Sequence, residues 1–344
     1  MFSPLPKLTP GDRVAIVSPS FAAPGVFPEV YDLGCQRLRE VFKLEPISFP
    51  ATATPGASAK ARSEDLVAAF TDPSIKAVIS SIGGNDQVTY IKHLPSEPFR
   101  ANPKPFFGFS DNTHFAHFLF QLGIPSYYGG SLFTQYARPG VMDSFTIDYL
   151  QAALFTGGHI ELQSSSEYSD VDLDWNEPSN LTCTPPYETN PGWYWDGGKN
   201  ADGILWGGCV ESIDEILRHH IALPSLEQSH ELVLMLETSE ELPTAEMVYR
   251  TLRALGEHGI LSRIQGVVVG RPKVWEFMNL VSSAERAQHQ EEQRAAVLRA
   301  LRTYNKDIPI VQNLDFGHTN PQIPMPLGRK IELHSDKQRI FVEM

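Results

Sequence analysis

Three residue types that together cleave acyl bonds stand at matching places along the chain. Ser110 follows the apolar run Phe106–Phe109, Glu237 follows Leu232–Leu236, and His318 lies shortly after Ile308–Leu314. A serine hydroxyl alone is a weak nucleophile. An imidazole must take its proton, and a carboxylate must fix the imidazole tautomer and stabilise the imidazolium. The order Ser…Glu…His is the one used by α/β-hydrolases, although triads recur in several orders. Gly108-Phe-Ser110-Asp-Asn112 adds a second signal, because a Gly two residues before the Ser permits a sharp strand-to-helix elbow. Asn112 stands where G-x-S-x-G has its second Gly, so an α/β-hydrolase matches poorly in detail. The N–H of Asp111, at a helix start, is placed to receive an oxyanion. Gly83-Gly84, at the end of the preceding strand, offers a second N–H, and we assign it to Gly84. Such donors contribute about 3 kcal/mol of transition-state stabilisation each.

Each residue also has a purely structural reading. Ser110 before Asp-Asn-Thr can cap its helix. Glu237 heads the run Glu237-Thr-Ser-Glu-Glu, in which Glu240 and Glu241 read as charges at a helix N-terminus. Asp86 and Asp111 can serve only to orient the loops whose N–H groups matter. His114 and His117 follow Ser110 on one helix, where core packing is the plainer explanation and His114 a possible site neighbour. His219 and His220 point about 100° apart on a helix and no H-E-x-x-H occurs, so no metal site is expected.

The elements that must carry these groups follow from periodicity. Val14–Val17, Ala77–Ile82 and Phe106–Phe109 read as strands, alternating with helices over Pro28–Phe42, Glu64–Phe70 and Thr113–Leu122. Alternation of this kind means βαβ units and a parallel sheet. Ligands of such sheets bind beyond the carboxyl ends of the strands, where all three residues fall. The stretch 163–190 is polar and Pro-containing without a sustained period, and reads as a linker or surface loop. Asn190-Pro-Gly-Trp-Tyr-Trp-Asp-Gly-Gly reads as an aromatic loop. Its Trp193 and Trp195 either clamp a planar ligand, anchor the loop, or sit in a dimer interface. Regular structure then resumes: helices over Glu211–His220, Ala245–Gly256 and Ser282–Tyr304, strands at Leu232–Leu236, Gly266–Val269 and Ile308–Leu314, and a hairpin in Lys330–Met344. The expected division is a nucleophile domain over 1–162, a linker over 163–190, and a domain over 191–344 carrying the acid and the base.

Composition narrows the partners. The chain has 344 residues, 42% hydrophobic and 20% charged, as in an ordinary globular protein long enough for two domains. Its formal charge of −13 (28 basic against 41 acidic) repels phosphate backbones, and nucleic acid is not an expected partner. No apolar stretch reaches membrane-spanning length, and the N-terminus lacks the pattern of a signal peptide. Three scattered cysteines argue against a disulfide framework. A cytoplasmic protein without membrane association is expected.

Taken together, the motifs resemble those of the LD-carboxypeptidase family, peptidase family S66. Gly108-Phe-Ser110-Asp111 resembles its nucleophile motif, and Ile82-Gly83-Gly84-Asn85-Asp86 its Gly-Gly loop. Trp206-Gly-Gly-Cys209-Val-Glu211 is similar to its second Gly-Gly motif, with Cys209 where many members have Asn. Leu234-Met-Leu-Glu237 and Phe316-Gly-His318 match its acid and histidine motifs, and Leu8–Ser20 its first strand. The resemblance implies an α/β fold: a Rossmann-like N-terminal domain with a parallel sheet, and a distinct α/β C-terminal domain. It implies metal-free serine hydrolysis without a cofactor, by the triad Ser110, Glu237 and His318, and a homodimer. Family substrates are L,D-peptides of murein tetrapeptides or, in the branch similar to the microcin C7 self-immunity protein, peptidyl or aminoacyl nucleotides. The form of the Asn85-Asp86 loop and the Trp193/Trp195 segment point to that branch and make Asn85, Trp193 and Trp195 the substrate-binding candidates. The same fold used as a non-catalytic binding module is the alternative, since Gly-Gly loops also hold anions. An amidotransferase wants Cys at position 110, and no G-x-G-x-x-G supports a redox enzyme.

Overall fold

Val14–Val17 and Ala77–Ser80 are wholly buried, which requires helices over both faces of the sheet they build. A computed structural model describes residues 2–275 and 281–344, and the chain divides into two compact units. The first comprises Met1–Gly158, Leu173–Pro185 and Gln322–Gly328. Its strands are β1 (Arg13–Val17), β2 (Glu45–Ser48), β3 (Ile75–Ser80), β4 (Phe106–Gly108) and β5 (Ser126–Tyr128), parallel in the order β2-β1-β3-β4-β5. A late strand, Met325–Leu327, adds antiparallel to β5. Chain order reverses between β1 and β3, and open α/β sheets bind ligands beyond the strands' carboxyl ends at such switch points.

The unit's helices are α1 (Pro28–Glu40), α2 (Ala59–Thr71), α3 (Ser96–Ala101), α4 (Thr113–Gln121) and α5 (Ser144–Gln151). Helix α2 begins five residues before the expected Glu64, because the Ser58 hydroxyl accepts the Ala61 N–H and caps it there. Phe70, Phe99, Phe106 and Phe115 interlock edge to face and fix α2, α3 and α4 against β4.

The second unit comprises His159–Asp172, Pro186–Pro321 and Arg329–Met344. Strands β6 (His159–Leu162), β7 (Glu167–Tyr168), β8 (Glu188–Thr189), β9 (Tyr194–Asp196), β10 (Ala201–Cys209), β11 (Leu232–Glu237), β12 (Gly266–Gly270) and β13 (Ile310–Leu314) precede Met325–Leu327, which is β14; β15 (Lys330–His334) and β16 (Arg339–Glu343) form the terminal hairpin. The sheet runs β6-β16-β15-β10-β11-β12-β13-β9, parallel from β10 to β13 and antiparallel at both flanks. Helices α6 (Val210–His219), α7 (Ala245–Glu257) and α8 (Ser283–Tyr304) follow β10, β11 and β12 in the chain. Ser282 and Glu285 cap α8 reciprocally.

The stretch 163–190 is more ordered than its composition suggests. It holds the pair β7–β8, and its middle, Leu173–Pro185, belongs to the first unit. The segment read as an aromatic loop contains β9, whose Trp195 pairs with Val311 of β13. Three residues at a sheet edge are too few to show a period. Among the described residues, no helix is long and apolar enough to cross a membrane.

Candidate active site

In the first unit, Ser110 sits at the carboxyl end of β4 with φ +63°, a left-handed conformation that costs a residue with a Cβ. Its N–H donates to the Tyr128 hydroxyl at 3.1 Å. The Asn112 side chain braces the turn. Its Nδ2 donates to the carbonyls of Phe109 (2.9 Å) and Ile82 (3.1 Å), and its Oδ1 accepts from Gln87. Gly108 leaves room for this brace, since a Cβ there would lie 3.0 Å from Asn112 Cβ. Asn112 thus holds the elbow by side-chain bonds where a second glycine would act by backbone freedom.

The Gly-Gly loop lies directly against the hydroxyl. A Cβ on Gly83 would be 2.9 Å from Ser110 Oγ and 3.4 Å from the Asp111 nitrogen. Gly84 has φ +147° and is exposed. Asp111 is buried, and its carboxylate accepts the N–H groups of Asp86 and Gln87, each at 3.1 Å. Burial pushes this carboxyl upward, while His114, 3.5 Å away, pulls against it. Asp86 pairs with both terminal nitrogens of Arg62; burial opposes ionisation there, but the guanidinium wins and the carboxyl falls below its ordinary value. The Ser20 hydroxyl, beyond β1, donates to Asp86 and accepts the Asn85 N–H at 3.1 Å. Both aspartates therefore bind the loop backbone, and Asn85 is held in it, exposed.

In the second unit, Glu237 ends β11 with a fully buried side chain. Its Oε2 lies 2.6 Å from His318 Nδ1. Gly317 makes this approach possible. At φ +97° it rides on the glutamate, and a Cβ there would meet Oε2 at 2.6 Å. The other imidazole nitrogen, Nε2, lies 3.0 Å from Glu240 Oε2, on the turn after β11. Burial disfavours the charged imidazole, but Glu237 and Glu240 together outweigh it and hold His318 well above its ordinary pKa. Glu240 shifts the other way: burial opposes ionisation, and the imidazolium pulls its carboxyl down.

The His318 loop is anchored from beneath. Asp315 and Arg271, both fully buried, pair at 2.6 Å, and Arg271 also donates to Thr319. Ser165 and the Trp193 indole N–H, at 3.4 Å, donate to the same aspartate. Trp193 is thus tied to the histidine's anchor, while Trp195 is held in the sheet through β9. Cys209 is a buried thiol that donates to Glu211, whose other oxygen accepts the N–H and hydroxyl of Ser239. Burial, then Glu211 and Glu237, raise this thiol far above its usual range.

The structure brings together Ser110, Asp111 and the Gly83-Gly84 loop in one unit, and Glu237 with His318 in the other. Sequence reasoning missed the Asn112 brace, the Arg62–Asp86 clamp and the contact of Glu240 with the imidazole. Glu240 had one legible signal, its place three residues past the strand-end acid.

Such a pair of units, each with strand-end groups and a parallel sheet core, defines a two-domain α/β protein. The chain belongs to the LD-carboxypeptidase family, a family of peptidases. The family's LD-carboxypeptidase N-terminal domain matches residues 14–129 and its C-terminal domain matches residues 202–333. YocD of Bacillus subtilis, named as a carboxypeptidase, is 25% identical over 98% of both chains. The solved structure of an MccF-like protein from Streptococcus pneumoniae in complex with AMP has a TM-score of 0.85 at 28% identity, covering 97% of this chain and 99% of that one. The microcin C7 self-immunity protein MccF bound to aspartyl sulfamoyl adenosine shares the fold, with a TM-score of 0.83 at 20% identity over 99% of this chain and 98% of that one.

Proposed function

We propose that this peptidase is a serine hydrolase that cleaves an amide bond through Ser110, His318 and Glu237. The observation that carries the proposal is the buried Glu237 carboxylate, 2.6 Å from Nδ1 of a strand-end histidine. It fixes the tautomer that leaves Nε2 to act as the base. Ser110 Oγ attacks the carbonyl and its proton passes to Nε2. The oxyanion is received by the N–H groups of Asp111 and Gly84. Collapse expels the amine, which takes the proton from His318, and water hydrolyses the acyl-enzyme by the same relay in reverse.

For the substrate we favour an aminoacyl or peptidyl nucleotide, on the AMP bound by the Streptococcus pneumoniae neighbour. Asn85, Trp193 and Trp195 are the candidate contacts in that reading. An L,D-peptide of the murein tetrapeptide type is the second reading, favoured by the family's defining activity. The working form is taken to be a cytoplasmic homodimer. Wild-type protein and Ser110→Ala are to be incubated with aspartyl sulfamoyl adenosine and with a murein tetrapeptide, and the products weighed. The wild type should cleave one of them. The variant should keep its circular dichroism spectrum and lose all turnover; turnover retained in folded Ser110→Ala removes the assignment.

A further inference from the structure

The imidazole of His318 is engaged at both nitrogens, by Glu237 at 2.6 Å on Nδ1 and by Glu240 at 3.0 Å on Nε2. The two carboxylates differ in kind. Glu237 ends β11 and its side chain is fully buried, whereas the Glu240 side chain is 60% exposed. The turn bearing Glu240 is pinned by its neighbour, since Ser239 donates through N–H and hydroxyl to Glu211. The Glu240 side chain reaches the imidazole from that pinned turn while keeping contact with solvent. Lys273, beyond β12, also lies beside the histidine: its ammonium is 3.5 Å from the His318 carbonyl and pairs with Asp172. Glu241, next along the turn, is crowded by Glu211, Glu240 and Glu215 and carries a raised pKa after its own burial.

Two hydrogen bonds to two carboxylates describe an imidazolium, with N–H on both sides. Such a ring has no lone pair with which to take a proton from a hydroxyl. We propose that Glu240 is a positioning residue acting through His318: it holds the imidazolium in the free enzyme and must release Nε2, whose proton then leaves to solvent, before the histidine works as a base. This rests on the triad reading but concerns a different bond. It makes Glu240 a brake on the free enzyme, whereas Glu237 supports the ring throughout.

The test uses the full-length protein and needs no substrate. Histidine-labelled wild type and Glu240→Gln are titrated by NMR, with His318 assigned by its loss in His318→Gln. Gln keeps the size and a hydrogen bond but removes the charge, so the His318 midpoint should fall by about one pH unit. An unchanged midpoint overturns the proposal, whatever the role of Ser110. In parallel, the rate of Ser110 labelling by a fluorophosphonate is followed against pH. Its rise should begin at lower pH in Glu240→Gln, because the neutral base is populated earlier, and a slower variant at every pH would likewise overturn it. If neither protein labels, the serine-hydrolase reading fails while the NMR titration still decides the role of Glu240.

Discussion

Around Ser110 the decisive features are spaces, and a single methyl group tests them. Gly83 lies so close that a Cβ would press within 2.9 Å of the Ser110 Oγ. Real Cβ contacts are longer, so in Gly83→Ala the serine or the loop must shift. A misplacement of about 1 Å at a reacting atom costs about a hundredfold in rate. We expect Gly83→Ala to lose about that much in the rate of Ser110 labelling with an unchanged melting temperature, measured side by side; labelling at the wild-type rate would contradict the role given to the loop. Asn112 makes the complementary point. Read in sequence as a departure from the nucleophile-elbow pattern, it proves to be the brace of the elbow, bonded to Phe109, Ile82 and Gln87. The departure was visible. Its purpose was not, because the partners lie up to thirty residues away.

Among the elements, the loop after β13 carries the histidine, and its rigidity comes from the Arg271–Asp315 pair at its base. Both side chains have no solvent exposure. Removing one partner of a buried ion pair leaves an uncompensated charge and costs about 3–5 kcal/mol. Asp315→Asn should therefore unfold at clearly lower urea concentration, and a loss below about 1 kcal/mol would show that the pair does not anchor the loop. The strands bearing Ser110, Glu237 and His318 were legible because each is a short apolar run cut off by a polar residue. The edge strands β2, β6 and β9 were not, nor was β5 between β4 and β14, each having three or four residues and no period to detect. β10 was seen only as a Gly-Gly motif, its two glycines masking nine residues of strand. The pair β7–β8 lies hidden in a polar stretch because it is held by backbone bonds, which leave no mark on composition.

For the whole molecule, Ser110 falls in the first unit and Glu237 and His318 in the second, an order the motifs follow along the chain. What no local pattern could give was the interleaving, in which residues 173–185 and 322–328 return to the first unit. Such returns depend on tertiary packing between distant segments. The proposed homodimer belongs to this scale, and light scattering should find twice the chain mass at micromolar concentration; a single chain mass would remove it. The triad itself is tested most directly by peptide mapping after fluorophosphonate treatment of wild type, His318→Ala and Glu237→Gln. Ser110 should carry the adduct in the wild type, with labelling slowed by orders of magnitude in both variants. An adduct on another serine, or equal labelling of Ser110 without the imidazole, would contradict the chemistry proposed for this chain.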